Sequence, residues 1–180
     1  MIIHLCLIFA SVVALACAFK PANKTALQHA VNKCLGYNSG SGTTCCADAN
    51  GNVISEPSCQ ASHISDWDTS DISDMKRLFY QKYYFNADIS AWDTSAVTDM
   101  SEMFYEAESF HADVAAWDTS TVRNMHDMFH KAEFFHADIG AWDTSAVTDM
   151  SRMFQEAFSF SADIRSWDTS AVKMDRKVGS

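Results

Sequence analysis

Two histidines four residues apart, with an acid beside the first, make up His126-Asp127-Met128-Phe129-His130. On a helix that spacing puts both rings on one face, the outline of a zinc-protease site. The chemistry needs a glutamate base and a third zinc ligand. Here the acid is Asp, and no third ligand is indicated. Residues a whole number of 25-residue steps away are Lys76, Ser101 and Ser151 for His126, and Tyr80, Tyr105 and Gln155 for His130. Both columns are variable and polar. The sequence therefore predicts outward-facing side chains there, no zinc and no catalytic residue.

The aspartates are the second candidate chemistry. One column holds Asp68, Asp93, Asp118, Asp143 and Asp168; a second holds Asp74, Asp99 and Asp149, with Asn124; a third holds Asp88, Asp113, Asp138 and Asp163. Stacked about 5 Å apart, like carboxylates repel by roughly 1 kcal/mol in water, so something must offset each column. Local hydrogen bonding is the expected answer, because Asp before Thr-Ser forms turns. The alternative is calcium, a hard cation, held by Asp93, Asp118 and Asp143. No calcium-loop spacing accompanies them. Nor do two acids stand out as a glycosidase pair, since repeated columns give every copy one environment. Thr69, Thr94, Thr119, Thr144 and Thr169 form a threonine ladder of the kind that can order ice, but between Asp and Ser a structural hydroxyl is expected.

What must position these side chains is a repeat. Trp67, Trp92, Trp117, Trp142 and Trp167 each open Trp-Asp-Thr-Ser at a constant spacing of 25 residues. Such self-similarity implies units that bury their apolar sides against one another. In the second unit the interior positions are Val97, Met100, Met103, Phe104, Ala107, Phe110 and Val114. Ala96 to Met100 reads as a short strand. Ser101 to Phe110 has apolar residues at three- and four-residue steps and reads as a helix, with Asp99 and Glu102 as a capping box. The expected fold class is an α/β leucine-rich-repeat-like solenoid, with one short strand and one short helix per unit.

Before the repeats, Thr25 to Gln28 forms another capping box. It opens a helix whose apolar face is Ala26, Leu27, Ala30, Val31, Cys34 and Leu35, stopped at Gly36. Ile2 to Ala18 is almost wholly apolar and ends in Ala16-Cys17-Ala18, as a signal peptide does. Its removal leaves Cys34, Cys45, Cys46 and Cys59, an even number clustered in an oxidising compartment, and hence two expected disulfides. Adjacent Cys45 and Cys46 are poorly placed to pair with each other, which leaves two connectivities. The expected organisation is signal peptide 1–18, helical disulfide-bonded cap 19–60, repeat solenoid 61–172 and a degenerate end 173–180. No C-terminal cap is legible, so the interior near Met150, Met153 and Phe154 is expected to be partly exposed.

Charge narrows the partners. The chain carries a formal net charge of −10, and acidic residues outnumber basic ones most strongly within the repeats. Such a surface repels nucleic acid and anionic membranes, and no second apolar segment suggests membrane insertion of the mature chain. The outward columns Ser73, Thr98, Arg123, Thr148 and Asp71, Ala96, Thr121, Ala146 form the candidate binding face. Tyr80, Tyr83, Tyr84, Tyr105, Phe134 and Phe158 occupy mixed columns. They are expected to shield the seam between turns more than to stack on a ligand. Asn23-Lys24-Thr25 is a candidate N-glycosylation acceptor at Asn23.

From Ile64 to Val172, the Trp-Asp-Thr-Ser, Val-Thr-Asp-Met and Ala-Asp-Ile pieces resemble the BspA-like surface-protein repeat of about 25 residues. This leucine-rich-repeat-type family is of unknown function and is also found in secreted proteins of microalgae and protists. The resemblance implies an extracellular or cell-surface location and a non-catalytic, adhesive role, and it supplies no catalytic residue. The functional expectation is thus a secreted interaction module that binds protein or glycan along its repeat face, with no cofactor. A calcium-dependent matrix or wall component is the alternative.

Overall fold

The computed structural model describes residues 19–36, 46–47, 53–54 and 62–173. The expected signal peptide and the residues after Lys173 lie outside these. Helix α1, Lys24–Leu35, buries Leu27, Ala30, Val31 and Leu35. Its N-cap is Asn23, whose side-chain oxygen accepts from the Ala26 amide at 3.0 Å, so the capping box read at Thr25 is displaced by two residues. Gln28 instead reaches into the repeats and donates to the Leu78 carbonyl at 3.0 Å. The helix stops at Gly36, whose φ of 58° suits a residue without a Cβ. Strands β1 (Cys46–Ala47), β2 (Val53–Ile54) and β3 (Ser62–His63) pair antiparallel in the order β2-β1-β3. A 3-10 turn over Ile64–Asp66 leads into the first Trp.

From Asp68 to Lys173 there is neither helix nor strand, only turns and the single-residue parallel bridges Asp74↔Asp99, Asp99↔Asn124 and Asn124↔Asp149. This overturns the expected strand-plus-helix unit, and with it the α/β leucine-rich-repeat-like class. The reason lies in the backbone. Glu102 and Glu106 have φ of 56° and 55°, and Arg77, Gln81, Asp127, Lys131, Arg152 and Glu156 repeat that left-handed conformation in the other units. A left-handed residue every fourth position cannot propagate a right-handed helix. Instead, alternate amides take different partners. Met103, Tyr105 and Ala107 donate three residues back, to Met100, Glu102 and Phe104. Met100, Glu102, Phe104 and Glu106 donate across to Asn124, His126, Met128 and His130 of the next unit at 2.8–2.9 Å. Apolar residues three and four apart suit this chain of turns as well as they suit a helix, so periodicity could not separate the two.

Non-glycine residues in that region cost on the order of 1 kcal/mol each. At exposed Glu156, φ 60°, the strain can be relieved without disturbing the core. Glu156→Gly should melt at or above the parent. Glu156→Val, with a β-branched side chain, should lie about 1 kcal/mol or more below the glycine variant. Equal melting of the two variants would refute the left-handed assignment.

The units stack through aromatic ladders. Phe79, Phe104, Phe129 and Phe154 lie nearly parallel, with centroids 5.4, 5.4 and 5.8 Å apart. Within a unit each faces a second ring 3.8–3.9 Å away, as Phe104 faces Phe110. The buried indoles pair their one polar atom: Trp92, Trp117 and Trp142 donate Nε1 to the carbonyls of Ile64, Ile89 and Val114. Thr69, Thr94, Thr119 and Thr144 are buried and donate to the carbonyls of Asp93, Asp118, Asp143 and Asp168 in the following unit. Each hydroxyl is thus a tie between units.

At the N-terminal end, Phe19 lies edge-on to Trp67, with centroids 5.0 Å apart, and its carbonyl accepts from Asp68 N. Lys24 Nζ sits 2.7 Å from Asp74 Oδ1. Cys34 takes part in a disulfide; the side chains of Cys45, Cys46 and Cys59 lie outside the described residues. At the other end Met150, Phe154 and Trp167 are only half-buried, whereas Met153 is buried.

Candidate functional site

The acid columns are built from local turns. In Asp93, Asp118 and Asp143, Oδ1 accepts the backbone N–H of the serine two residues on, at 2.9–3.0 Å. The Ser95 and Ser120 hydroxyls add a second donor at 2.6 Å. Those serine contacts hold the carboxyls of Asp68, Asp93, Asp118, Asp143 and Asp168 below the ordinary value of 3.8. Neighbouring carboxylates in the column oppose the shift at Asp93 and Asp118. The third column repeats the pattern: Asp88, Asp113, Asp138 and Asp163 each accept from the amide two residues later. Each carboxylate therefore has one oxygen occupied by its own turn. Among the described residues no three His, Cys, Asp or Glu side chains converge as a cation site.

The candidate face Ser73, Thr98, Arg123, Thr148 runs beside the bridges, and its backbone forms a continuous ladder. Thr98 N donates to Ser73 O, Arg123 N to Thr98 O, and Thr148 N to Arg123 O, at 2.8–2.9 Å. Thr98 and Thr148 also donate their hydroxyls to those preceding carbonyls at 3.1 and 3.0 Å. Thr121 in the adjoining column donates to Val97 O at 2.8 Å. The threonine hydroxyls on this face are thus committed to tying the units together, and Ser73, Thr98 and Arg123 are exposed on it. Asn23 is exposed at the N-cap.

The histidine motif is not where the columns placed it. Asp127 and His130 are buried, with 4% and 5% of their surface exposed, so the expectation that His130 faces outward is corrected. Asp127 Oδ2 accepts from Arg152 at 2.7 Å and lies 3.0 Å from His126 Nε2. His130 stacks on Tyr105, with centroids 4.7 Å apart. Its Nδ1 lies 3.3 Å from Asp127 Oδ1, yet neither atom makes a hydrogen bond. Tyr105 stacks in turn on Tyr80 at 4.9 Å, so the column became a ring ladder in which an imidazole replaces a phenol. Polarity alone could not reveal this, because His, Tyr and Gln share the ability to lie flat against a neighbour while looking polar on a grid.

The six aromatics in mixed columns divide. Tyr80 and Tyr105 shield the seam, and Tyr83 is half-buried. Tyr84, Phe134 and Phe158 do not: they are 60%, 57% and 77% exposed, the exposed large hydrophobic side chains of the described residues. All three lie at one corner of the stack, where the chain turns after the left-handed ribbon. The units join there through Ser109 N to Tyr83 O, Phe134 N to Glu108 O and Ser159 N to Glu133 O, at 2.9–3.1 Å. Glu108, Ser109 and Glu133 stand in the same two columns as the rings. The corner is therefore a ridge of flat apolar faces interleaved with carboxylates and hydroxyls.

A family model described as a Mycoplasma protein of unknown function, DUF285, matches residues 52–138 and again 112–178, together more than two thirds of the chain. The chain belongs to this family. The two overlapping matches agree with the repetition of the stacked units, and the DUF285 description assigns no activity that could be carried over to the corner or to the acid columns. No curated protein and no solved structure matches the chain.

Proposed function

We propose that this DUF285 protein is a secreted or cell-surface, non-catalytic interaction module of the BspA-like repeat type, and that it binds a neutral glycan at its aromatic corner. The observation that carries the reading is the exposure of Tyr84, Phe134 and Phe158 on one ridge, while the other large aromatic side chains of the repeats are at least half-buried. Exposed rings grouped in this way mark an interaction surface. A flat aromatic face covers the C–H face of a sugar ring, and the carboxylates of Glu108 and Glu133 accept from sugar hydroxyls. Tyr84 and Phe134 are two units apart, roughly 10 Å at the spacing of hydrogen-bonded chains, so one extended saccharide can touch both. The chain's −10 net charge disfavours sulfated or uronic-acid polymers.

Secretion rests on the apolar segment Ile2 to Ala18 with its small-residue end. A calcium-dependent reading gains no observation: one oxygen of each of Asp93, Asp118 and Asp143 is engaged by Ser95, Ser120 and Ser145, and among the described residues no three His, Cys, Asp or Glu side chains converge as a cation site.

The test is a panel of neutral polysaccharides in affinity electrophoresis, run with the parent and with Tyr84→Ala/Phe134→Ala/Phe158→Ala. The parent should be retarded by at least one of them. The triple variant should lose the retardation at least tenfold while keeping its melting temperature, because exposed rings contribute little to the fold. Equal retardation of both proteins would remove the corner from the binding site, and no retardation of the parent by any polysaccharide would remove the glycan.

A further inference from the structure

Beyond the aromatic corner the chain changes period. In the third unit Phe134, His136 and Asp138 are exposed and alternate with buried Phe135, half-buried Ala137 and buried Ile139. Such two-residue alternation belongs to an extended chain, and it sets one line of side chains from each unit on a shared outer face. The corner ring Phe134 is the first member of its line. Phe135 anchors that line from behind. It is wholly buried, lies 3.8 Å from Phe129 and stacks between Phe110 and Phe160 at 6.0 Å.

The histidines of this face are held in one tautomer. His111 Nδ1 lies 2.8 Å from Ser109 O, and His136 Nδ1 lies 2.7 Å from Phe134 O. A carbonyl can only accept, so Nδ1 carries the proton in both rings, and Nε2 of the neutral ring is an acceptor. At His111 that acceptor is taken. Asn86 Nδ2 donates to it at 2.9 Å, while Asn86 Oδ1 accepts from His111 N. His136 stacks on His111, with centroids 5.9 Å apart. The residue that stands to His136 as Asn86 stands to His111 is therefore His111 itself, which brings no amide donor. Among the described residues nothing donates to His136 Nε2.

We propose that His136 Nε2 is a ligand-binding acceptor, and that the corner selects sugars presenting free hydroxyl groups beside the ring that covers Phe134. The inference rests on the glycan reading above. Two residues on in an extended chain, His136 stands roughly 7 Å from Phe134, within the span of one sugar ring and its hydroxyl. Along this stretch the free side-chain atoms share one polarity. His136 Nε2, Asp138 Oδ2 and the carboxylate of Glu133 all accept, and Asp138 Oδ1 is occupied by Gly140 N. Arg165 shares a groove with Asp138, but its guanidinium is turned onto Asp163. A surface of acceptors calls for a ligand of donors. An O-methylated sugar keeps the C–H face that suits Phe134 but has no hydrogen to give to His136. A sulfate or carboxylate adds one more acceptor, with a charge of the wrong sign.

The test joins binding to the state of the ring. Mannan, dextran and a β-linked glucan, each beside its O-methylated derivative, are run in affinity electrophoresis against the full chain. The parent should be retarded by at least one native polymer, and about fivefold less by its methylated form. His136→Phe keeps a flat ring against His111 and removes the acceptor. It should bind about fivefold more weakly, the worth of one exposed hydrogen bond, at an unchanged melting temperature. His111→Phe should bind as the parent does. In 15N spectra at alkaline pH both rings should carry the proton on Nδ1, and the polymer should shift the Nε2 signal of His136 but not that of His111. Should His136→Phe melt lower, that shift in the parent decides. Three results overturn the inference alone: equal binding by the parent and His136→Phe, equal retardation by native and methylated polymer, or a proton on His136 Nε2. Retardation of the parent by none of the polymers removes the glycan reading as well.

Discussion

Phe104→Ala should remove about 3–5 kcal/mol of stability, the largest effect expected of any single substitution in the repeats. Phe104 is wholly buried at the crossing of both phenylalanine ladders. It meets Phe79 and Phe129 at 5.4 Å, Phe110 at 3.9 Å and Trp117 at 6.2 Å. Close packing leaves no neighbour free to collapse into the vacated volume, because each ring is fixed by the unit above and the unit below. Phe154→Ala, in the same column but only half-buried, should cost clearly less. Denaturant titration followed by tryptophan fluorescence measures both. Since each unit touches only its neighbours, Phe104→Ala should also split the transition, with units on the two sides of the lesion unfolding separately. Equal losses at Phe104 and Phe154 would mean that the ladder does not carry the stability.

How far the sequence could be read depended on which residues carried the signal. The Trp-Asp-Thr-Ser spacing located every unit, and the interior columns Val97, Met100, Met103, Phe104, Ala107, Phe110 and Val114 are all buried. Across the four full units those columns are apolar except at Lys82, which stands in the Ala107 column, so composition decides nearly all of them. Local conformation was not legible in the same way. The run from Ser101 to Phe110 has helical spacing, but Glu102 and Glu106 take positive φ, which no side chain advertises unless it is Gly or Asn. Inter-unit hydrogen bonds offset that strain, and their existence follows from stacking rather than from any local propensity. The corner and the histidine cluster show the same limit. Tyr84 and Tyr105 look alike in the sequence, yet one is exposed and the other lies between Tyr80 and His130. The difference is set by where the turn after the ribbon leaves each column.

Acid should unfold the protein through its aspartate columns. Serine hydrogen bonds lower the carboxyl pKa values of Asp68, Asp93, Asp118, Asp143 and Asp168 in the folded chain below the ordinary value of 3.8. A carboxyl whose folded value is depressed favours the native state when ionised. Its contribution is complete above the unfolded value and is lost as pH falls through the folded one. The melting temperature should therefore hold steady with respect to these groups down to about pH 4 and fall progressively between roughly pH 4 and 2. The effect is collective, because five equivalent turns loosen over one window. Asp93→Asn/Asp118→Asn/Asp143→Asn isolates it. Asn keeps the Oδ1 that accepts from Ser95, Ser120 and Ser145 but cannot be protonated in this range. The variant should melt within a few degrees of the parent at pH 7 and lose much less on acidification. Millimolar calcium should move neither curve; a rise in the parent that the variant lacks would instead identify the column as a cation site, since binding to the folded state alone stabilises it. An acid profile unchanged by the three substitutions would show that other groups govern the transition, and that the serine-bound aspartates are spectators of the fold.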